Sequence, residues 1–504
     1  MARIRQNRTV VDGLTLTESQ EKAMKQILAF TRNSKKRIFI LKGYAGTGKT
    51  TLVKALIKKL GSGNLPFTLL ASTGRAAKVL RDMLEMKEVK SMSQKKENLL
   101  TTVRTIHSQI YDFNGLDQDM TLFSKQVDEK CAQIGSDKGV KVKFYLSQVY
   151  PPSRHLYIVD EASMVGDSSG GSFSQAIFGD SGRLLSDLLN YNTLGAFLFI
   201  GDACQLPPIS RVQAQAVSPA LSPAYFSEAF GLEADDFELT DIVRQSGGVD
   251  IPYSAAKLRR LFMDPPAVNW ANFPLSGYRS IHILQNTSEL VRYYIQCIAE
   301  GKYDFATMIV YSNKEATRYS LLIRHALGFG SGKLSVGELL LVTQNNLISG
   351  LVNGDLVEVV GIGISERRAG LTFVHVQVRS TSTQQEYSQL LIEDVLYSDK
   401  INLTQEQQTG LWVDFHIRMT ENGIKQCDIL YKNYMQEDDY LNALRCVFGY
   451  AITCHKAQGG EWDKVFLSIP RQISKLSPFC YQWVYTAMTR AKEDLYVVND
   501  FFIS

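Results

Sequence analysis

The hydrophobic residues of this 504-residue chain gather in short continuous runs that alternate with segments of helical spacing. In the first half, runs such as "RIFIL", "FTLLA", "LYIVD" and "AFLFI" are separated by helix-like segments such as "TLVKALIKKL" and "GRLLSDLLNY". Strands that are apolar on both faces are typical of a parallel sheet covered by helices on both sides. The pattern therefore predicts a doubly wound α/β lobe.

A second series of strands and helices follows in the second half of the chain. It starts at "FATMIVYSNKEATRYSLLIRHAL", resumes at "LRCVFGYAITCHKAQGG" and "WDKVFLSIP", and finishes with "YQWVYTAMTRAKEDLYVVND". The same combination of buried runs and helical spacing predicts a second lobe of the same kind. The expected fold class is therefore α/β, with two parallel-sheet lobes.

Segments with a different pattern of apolar and polar residues interrupt both lobes. Within the second lobe, "GELLLVTQNN", "VNGDLVEVVGIGI", "LTFVHVQVRS" and "YSQLLIEDVLY" alternate with period two around turns such as Asn353-Gly354, which predicts a small inserted β-barrel. Residues 111–152 interrupt the first lobe with polar, turn-rich sequence, which predicts a hairpin and a helix. The Ser/Gly-rich segment 166–182 predicts a mobile loop to which we assign no chemistry.

These features divide a chain that is too long for one ordinary hydrophobic core. The predicted boundaries are 1–13 for an N-terminal tail, 14–110 with 153–245 for lobe one, 111–152 for its insertion, 246–337 with 446–504 for lobe two, and 338–445 for the β-barrel insertion.

The stretch "GYAGTGKT", residues 43–50, stands between a predicted strand and a predicted helix. It fits the pattern Gly, four residues, Gly, Lys, Ser or Thr, whose glycines turn backbone N–H groups toward phosphate oxygens at a helix N-terminus. Lys49 would reach the β and γ phosphates, and Thr50 would ligate Mg²⁺. The sequence therefore predicts ATP or GTP binding by Gly43, Ala45, Gly46, Thr47, Gly48, Lys49, Thr50 and Thr51.

Acidic residues follow the predicted strand "LYIVD", whose tip should face the phosphate loop. Asp160 would hold Mg²⁺ through water, and Glu161 would polarise the attacking water. Another buried run ends with Asp202 and Gln205, where a polar side chain could sense the γ phosphate. These residues predict hydrolysis of the nucleotide.

Composition narrows the class of protein only a little. The chain has 55 Lys plus Arg against 51 Asp plus Glu, a net charge of +4, which permits a polyanionic partner without requiring one. The seven cysteines show neither the close pairing of a zinc site nor the density of a disulfide scaffold, so we expect reduced thiols. The sequence contains neither a signal-peptide core nor a run of about 18 apolar residues, so we expect a cytoplasmic protein without a membrane partner.

Several stretches occur in the order of the helicase motifs of superfamily one: "LTESQ", "GYAGTGKT", "ASTGRAAKVL", "TIHSQIY", "LYIVDEASM", "GDACQLPP", "ELTDIVRQ", "ITCHKAQGGEWDKV" and "VYTAMTRAKEDLYVV". The set spans about residues 14–497 and resembles the 5′-to-3′ branch that contains RecD, phage Dda and the Pif-type helicases. The resemblance implies two RecA-like lobes with ATP in the cleft between them, a small pin insertion in lobe one and an SH3-like barrel in lobe two. A long RecD-type N-terminal extension is missing, which favours a compact, free-standing motor nearer to Dda.

The resemblance also implies roles for residues around the nucleotide, with ATP and Mg²⁺ as cofactors. Gln20 would read the adenine edge, and Glu461 would meet the ribose. Gln205 would couple the γ phosphate to the DNA channel. Arg244 and Arg490 would approach the γ phosphate from lobe two, because phosphoryl transfer spreads negative charge that a guanidinium neutralises.

For the nucleic-acid strand, the family points to hydroxyl, imidazole and ammonium groups at strand tips, which bind phosphates and bases without reading sequence. The residues are Thr73, Lys78, Thr105, His107, Thr453, His455 and Lys456. The alternative for each histidine is a satisfied core or cap position. The implied partners are single-stranded DNA, tailed or forked duplex DNA, and replication or recombination proteins. The implied protein is a monomer at the nucleoid of a bacterial or phage-infected cell.

Separating a base pair requires a rigid element that stacks on the displaced base, and an aromatic ring contributes about 1 to 3 kcal/mol per stacked base. In "IYDFNGLDQDM", the pair Asn114-Gly115 predicts the tip of a hairpin, and we select Phe113 as the wedge. A packing role for this ring is the alternative, and Phe123 or Phe144 would then be the wedge.

The motifs leave other functions open. A nucleic-acid-stimulated ATPase that remodels protein on DNA, or that acts on RNA, would carry the same motifs. A P-loop kinase for small molecules would need a lid and an acceptor pocket, neither of which can be identified in the sequence.

Overall fold

The structure, a computed structural model, alternates strands and helices along most of the chain. It describes residues 10–11, 14–61, 65–85, 103–117, 120, 140–169, 176–179, 181–208, 217–242, 250–265, 272–330, 332–470, 478–500 and 502–504. The strands are β1 (Val10–Val11), β2 (Leu14–Thr15), β3 (Ile38–Gly43), β4 (Phe67–Ala71), β5 (Val103–Thr105), β6 (Tyr111–Leu116), β7 (Val142–Leu146), β8 (Leu156–Asp160), β9 (Ala176–Phe178), β10 (Ala196–Gly201), β11 (Ala234–Leu239), β12 (Ile281–Leu284), β13 (Ala306–Val310), β14 (Leu339–Val342), β15 (Leu356–Arg368), β16 (Leu371–Ser380), β17 (Glu386–Ile392), β18 (Cys446–Phe448), β19 (Ala451–Thr453), β20 (Trp462–Leu467) and β21 (Ala491–Val498).

Helices connect most of these strands. They are α1 (Glu18–Arg32), α2 (Lys49–Leu60), α3 (Gly74–Glu85), α4 (Ile106–Ile110), α5 (Leu184–Tyr191), α6 (Pro223–Phe230), α7 (Asp250–Met263), α8 (Thr287–Ile298), α9 (Asn313–Ala326), α10 (Glu393–Leu396), α11 (Gln405–Glu421), α12 (Ile429–Glu437), α13 (Cys454–Ala457) and α14 (Pro478–Met488). Within the described residues, no helix has both the length and the apolar character needed to cross a bilayer.

Lobe one is a parallel sheet with the strand order β11-β3-β10-β8-β4-β5. Strand β10 shows why the strands of this sheet are apolar along their whole length. Leu198 and Ile200 enter the hydrophobic cluster on one face of the sheet, and Phe197 and Phe199 enter the cluster on the other face. Both faces are therefore buried, as the continuous apolar runs predicted.

Lobe two is a second parallel sheet, with the order β12-β21-β20-β13-β19. The α/β fold class with two parallel-sheet lobes is thereby confirmed. In both lobes, the carboxyl ends of the strands lead into the motif residues, because parallel strands all finish at the same edge of their sheet. Gly43, Asp160 and Thr453 are the last residues of β3, β8 and β19.

The insertion in lobe two contains an antiparallel sheet with the order β17-β16-β15-β14-β18. Just before β18, Leu444 donates to Leu390 and accepts from Ile392, which are both in β17, and this pairing joins the two edges of the sheet. The sequence predicted the strands around β14 to β17 but assigned Cys446–Phe448 to lobe two, and β18 pairs instead with β14 of the insertion. It also missed α11 and α12, which lie between β17 and β18.

The insertion in lobe one consists of β6 and β7, paired antiparallel, with β9 alongside β7. Strand β9 comes from the Ser/Gly-rich segment, so the prediction of a mobile loop was wrong for Ala176–Phe178. The prediction that Asn114-Gly115 forms a hairpin tip was also wrong. Both residues lie within β6, and the register shifts between Phe113 and Gly115, which marks a β-bulge.

The two insertions pack against each other. Met120 and Val140 of the first share a hydrophobic cluster with Trp412 and Phe415 of the second. Backbone N–H groups of the same two residues donate to Gln426 (3.0 Å) and Thr409 (3.3 Å). The insertions therefore form a contact between the two lobes.

Candidate nucleotide site and strand-binding surface

The phosphate loop between β3 and α2 has the backbone conformation that anion binding requires. Gly46 and Gly48 have φ angles of 82° and 73°, in the left-handed region that favours glycine. A Cβ at Gly43 would lie 2.7 Å from Thr47 Oγ1, so the close turn also depends on glycine there. Gly48 is the N-cap of α2 and provides no side-chain cap, which leaves the N-terminal N–H groups to meet phosphate oxygens.

Charges around the loop fit a magnesium-bound triphosphate. The Lys49 ammonium donates to the carbonyls of Gly43 (2.7 Å) and Tyr44 (2.9 Å), inside the cradle where phosphate oxygens would lie. Burial and the neighbouring Glu161 raise the pKa of Asp160 to about 6. A carboxyl group with a raised pKa beside a second carboxylate suits a divalent cation, whose charge would favour the ionised form.

Glu161 has a left-handed backbone, with φ 50° and ψ 43°, which is uncommon for a residue with a side chain. Its N–H donates to Asp160 Oδ1 (3.0 Å), so the strained turn also orients the neighbouring carboxylate. Backbone strain of this kind is frequent at functional sites. Thr50 is exposed at the start of α2, as a metal ligand requires.

The loop after β10 lies between the loops after β3 and β8, because β10 separates these strands in the sheet. Asp202 Oδ1 accepts from the N–H of Cys204 (3.0 Å), and the Asp202 carbonyl accepts from the N–H of Gln205 (3.1 Å). Gln205 Oε1 is buried and has no hydrogen-bond partner among the described residues. An orphaned buried amide oxygen beside the phosphate loop suits a water or ligand contact.

Helix α14 of lobe two closes the other side of this cleft. The Tyr485 phenol accepts from the N–H of Ala45 in the phosphate loop (3.1 Å) and donates to Asp202 Oδ2 (2.6 Å). Thr486 Oγ1 accepts from the N–H of Leu206 (2.9 Å). Tyr485 carries no functional signal in the sequence, because its position in an apolar helix is typical of a core residue.

Of the two predicted arginine fingers, the structure describes only Arg490. Arg244 lies outside the described residues. The Arg490 guanidinium is buried and donates to the carbonyls of Thr486 (3.1 Å) and Gly460 (3.4 Å), both in lobe two. Its contact with a γ phosphate remains a prediction.

The structure adds two arginines that the sequence analysis missed. Arg259 of α7 lies 3.8 Å above the ring of Tyr44 in the phosphate loop and pairs with Glu238. Arg75 stacks on Trp462 at 4.8 Å, and burial lowers its pKa to about 10. The only sequence signal was the position of Arg75 inside the motif "ASTGRAAKVL".

The residues predicted to read the nucleoside have other contacts. Gln20 Nε2 donates to the carbonyls of Thr47 (3.0 Å) and Gly48 (3.4 Å), and its Oε1 accepts from the N–H of Thr17 (2.9 Å). In this structure Gln20 therefore braces the phosphate loop, and adenine reading remains a prediction. Glu461 is exposed just before β20, and its contact with the ribose also remains a prediction.

Comparisons with known proteins agree with this arrangement of motifs. Residues 15–258 match the family model described as an AAA domain. Residues 448–498, which include β19, β20, α14 and β21, match the UvrD-like helicase C-terminal domain. The two models match parts of both lobes, and together they support an ATP-hydrolysing helicase.

The chain is similar to other proteins at low identity. An uncharacterized protein of Methanocaldococcus jannaschii is 22% identical over 95% of the chain, and the match spans 38% of that protein's length. The crystal structure of Pif1 helicase from Candida albicans is 15% identical, with 97% of this chain and 95% of that chain covered and a TM-score of 0.47. A Bacteroides Pif1 structure in complex with ADP-AlF3 and ssDNA is 16% identical, with 97% and 94% covered and a TM-score of 0.41.

On lobe one, the predicted strand-binding hydroxyls cap helices. Thr73 Oγ1 accepts from the N–H of Ala76 (3.2 Å) at the start of α3, and Thr105 Oγ1 accepts from the N–H of Ser108 (3.1 Å) at the start of α4. His107 packs against Tyr111 and Phe178, with ring centroids 5.8 and 5.0 Å apart, and burial lowers its pKa. The structure thus supports the packing alternative for His107.

Lys78 on α3 also contacts lobe two. Its ammonium lies 3.4 Å from Asp355, in the turn before β15 of the barrel insertion. Arg75 donates to the carbonyl of Gly354 in the same turn (3.3 Å). The turn therefore lies on the helix that was predicted to contact the strand.

On lobe two, Thr453 and Lys456 line a small cleft between the lobe and the barrel insertion. Burial lowers the pKa of Lys456 to about 8, and it lowers the pKa of His455 as well. No carboxylate pairs with Lys456 among the described residues. A partly buried ammonium without a counter-ion suits a phosphate of a nucleic acid.

Phe113 lies in the contact between the two insertions. Its ring is edge-on to Phe144 at 6.0 Å, and Lys432 of α12 lies 5.4 Å from the ring and donates to the Phe113 carbonyl (3.1 Å). The ring is partly buried there, which favours the packing alternative. Tyr145, on the neighbouring strand β7, is 47% exposed. Phe123 lies outside the described residues.

Proposed function

We propose that the protein is an ATP-dependent DNA helicase that moves 5′-to-3′ along single-stranded DNA and unwinds duplex DNA, powered by Mg-ATP hydrolysis in the cleft between the lobes. The observation that carries the proposal is the hydrogen bond from Ala45 in the phosphate loop to Tyr485 of lobe two (3.1 Å). A nucleotide in the loop would therefore lie against the opposite lobe. Binding, hydrolysis and release of the nucleotide can then change the position of one lobe relative to the other.

Residues of lobe one would hold and activate the nucleotide. Lys49 would exchange its two loop carbonyls for phosphate oxygens, while Thr50 and Asp160 would hold the metal ion. When bound, Mg-ATP supplies the phosphoryl group and part of the charge neutralisation that its transfer needs. Glu161 would orient the attacking water and accept its proton.

Lobe two would respond through the loop after β10. Gln205, whose side-chain oxygen is buried without a partner among the described residues, would bind at the phosphate end of the site. Its backbone carbonyl accepts from Gln482 Nε2 of α14 (3.4 Å). A change at Gln205 would thus reach α14 directly.

The tracked strand would cross the strand tips of both lobes. Lys78, Lys456 and the hydroxyls near them bind phosphate without reading bases, which suits movement along any sequence. The resemblance of the motif set to the 5′-to-3′ branch, together with an inserted barrel in lobe two, supports the direction.

The test combines ATP hydrolysis and strand separation. We expect single-stranded DNA to stimulate hydrolysis, and a 5′-tailed duplex to be unwound while a 3′-tailed duplex is not. Equal or reversed preference would contradict the direction. Stimulation by DNA without strand separation, or with RNA as the better activator, would favour a remodelling ATPase or an RNA-directed enzyme.

Lys49→Ala provides the matched inactive variant. The substitution removes the ammonium that meets the β and γ phosphates, so turnover should be lost, whereas the melting temperature and much of the affinity for single-stranded DNA should remain. Hydrolysis within a few-fold of the wild-type rate would show that the phosphate site is elsewhere.

A further inference from the structure

The hydroxyl of Tyr485 lies where three parts of the cleft meet. Tyr485 is 2% exposed, and its phenol oxygen accepts from Ala45 N and donates to Asp202 Oδ2 at 2.6 Å. The second contact is a short, charge-assisted hydrogen bond. Burial raises the pKa of Tyr485 well above its usual value, so the phenol keeps its proton at neutral pH. One oxygen atom thus links lobe two to the phosphate loop and to the loop after β10.

Neighbouring side chains of α14 make contacts with the same loop. Thr486 accepts from the N–H of Leu206 (2.9 Å), and Gln482 donates to the carbonyl of Gln205 (3.4 Å). Positions 482, 485 and 486 lie on one face of the helix because they are three and four residues apart. This face of α14 is therefore fastened to the loop that carries Asp202 and Gln205.

The bond to Ala45 differs from the others because its donor belongs to the loop that is predicted to bind the nucleotide phosphates. A backbone N–H has one proton and makes one good hydrogen bond. The Ala45 N–H can serve the phenol or an anion in the loop, but not both at full strength. The phenol and a bound phosphate therefore compete for this donor, whereas the bond to Asp202 does not depend on the nucleotide.

We infer that Tyr485 is a positioning residue that exchanges its bond to Ala45 for nucleotide binding while it keeps Asp202 aligned with lobe two. The inference rests on the proposed motor function. In the free protein the phenol occupies the Ala45 donor and holds the lobes together at the phosphate loop. A bound triphosphate takes this donor, and Tyr485 then transmits the change to lobe two through Asp202 alone.

Tyr485→Phe tests the inference because it removes one oxygen and retains the buried ring. Without the competing phenol, the affinity for a non-hydrolysable ATP analogue should increase about two- to tenfold, the effect of one neutral hydrogen bond. Without the bond to Asp202, turnover with saturating single-stranded DNA should fall about tenfold or more. Tighter binding combined with slower turnover is a result that a packing defect would not produce.

Tyr294→Phe is the matched control. Tyr294 is a buried tyrosine of α8 whose ring packs on Phe466 in the interior of lobe two. Its substitution should leave analogue affinity and turnover unchanged. Weaker analogue binding by Tyr485→Phe, with a lower melting temperature, would overturn the inference, and so would unchanged affinity and turnover.

A double variant tests the link to Asp202. Asp202→Asn alone should slow turnover because a neutral amide accepts a weaker bond from the phenol. Combined with Tyr485→Phe it should cause no further loss, since the shared bond is already absent. If the two substitutions reduced turnover by factors that multiply, the inference would be overturned. Analogue affinity is measured without DNA, so it decides the matter even if no nucleic acid stimulates the wild-type enzyme and the proposed function fails.

Discussion

Gly48→Ala should disable the phosphate loop for two reasons, backbone strain at position 48 and displacement of the Gln20 amide. Gly48 has a φ of 73°, and a left-handed conformation costs a residue with a Cβ about 1–2 kcal/mol. The added Cβ would also lie 2.4 Å from Gln20 Nε2, so the Gln20 amide must leave its bonds to Thr47 and Gly48. Losing such a contact costs about 1 kcal/mol.

The two effects together raise the free energy of the binding-competent loop by about 2–3 kcal/mol. We therefore expect kcat/KM for ATP, measured by steady-state hydrolysis, to fall about 30- to 150-fold. Gly231→Ala is the matched control. Gly231 also has a positive φ, of 63°, but a Cβ there would meet nothing within 4 Å. This variant should lose stability and keep wild-type kinetics.

Gln20→Ala and the double variant test the second part of the reasoning. Gln20→Ala alone should reduce kcat/KM about fivefold, because one contact that supports the loop is lost. Added to Gly48→Ala it should cause no further loss, since the amide has already been displaced. Multiplied effects, or near-normal kinetics of Gly48→Ala, would refute the argument. If Gln20→Ala impairs ATP hydrolysis but not GTP hydrolysis, the amide reads adenine.

Two further predictions concern the strand and the insertions. Burial lowers the pKa of Lys456 to about 8, so its ammonium is present below that pH and is lost above it. At fixed salt, the affinity for single-stranded DNA should therefore fall between pH 7 and pH 9. The fall should be smaller in Lys456→Arg. Phe113→Ala should lower the melting temperature by several degrees and reduce unwinding and hydrolysis together, because the cavity costs about 3 kcal/mol at the contact between the insertions. Tyr145→Ala, at an exposed ring, should leave stability unchanged. Tenfold slower unwinding by Phe113→Ala with normal hydrolysis would restore Phe113 as the wedge.

The sequence alone determined the features that depend on local order. The phosphate loop follows from the spacing of its glycines with Lys49, since the required backbone angles are set within eight residues. Asp160 could be assigned to the same edge as Gly43 because each ends a continuous apolar run, and parallel strands end together. The two lobes were predictable for the same reason, since the apolar runs show which strands are buried on both faces.

Only the tertiary structure decided features that depend on remote partners. Ala176–Phe178 is too short to show a period, and it becomes a strand because β7 offers an unpaired edge. Phe113 has the sequence surroundings of a hairpin tip, but the second insertion covers it. Tyr485 looks like a core residue of an apolar helix, and its hydroxyl reaches Ala45 across 440 residues of sequence. Such contacts are selected by shape and polarity once the lobes have folded, so no local pattern in the chain records them.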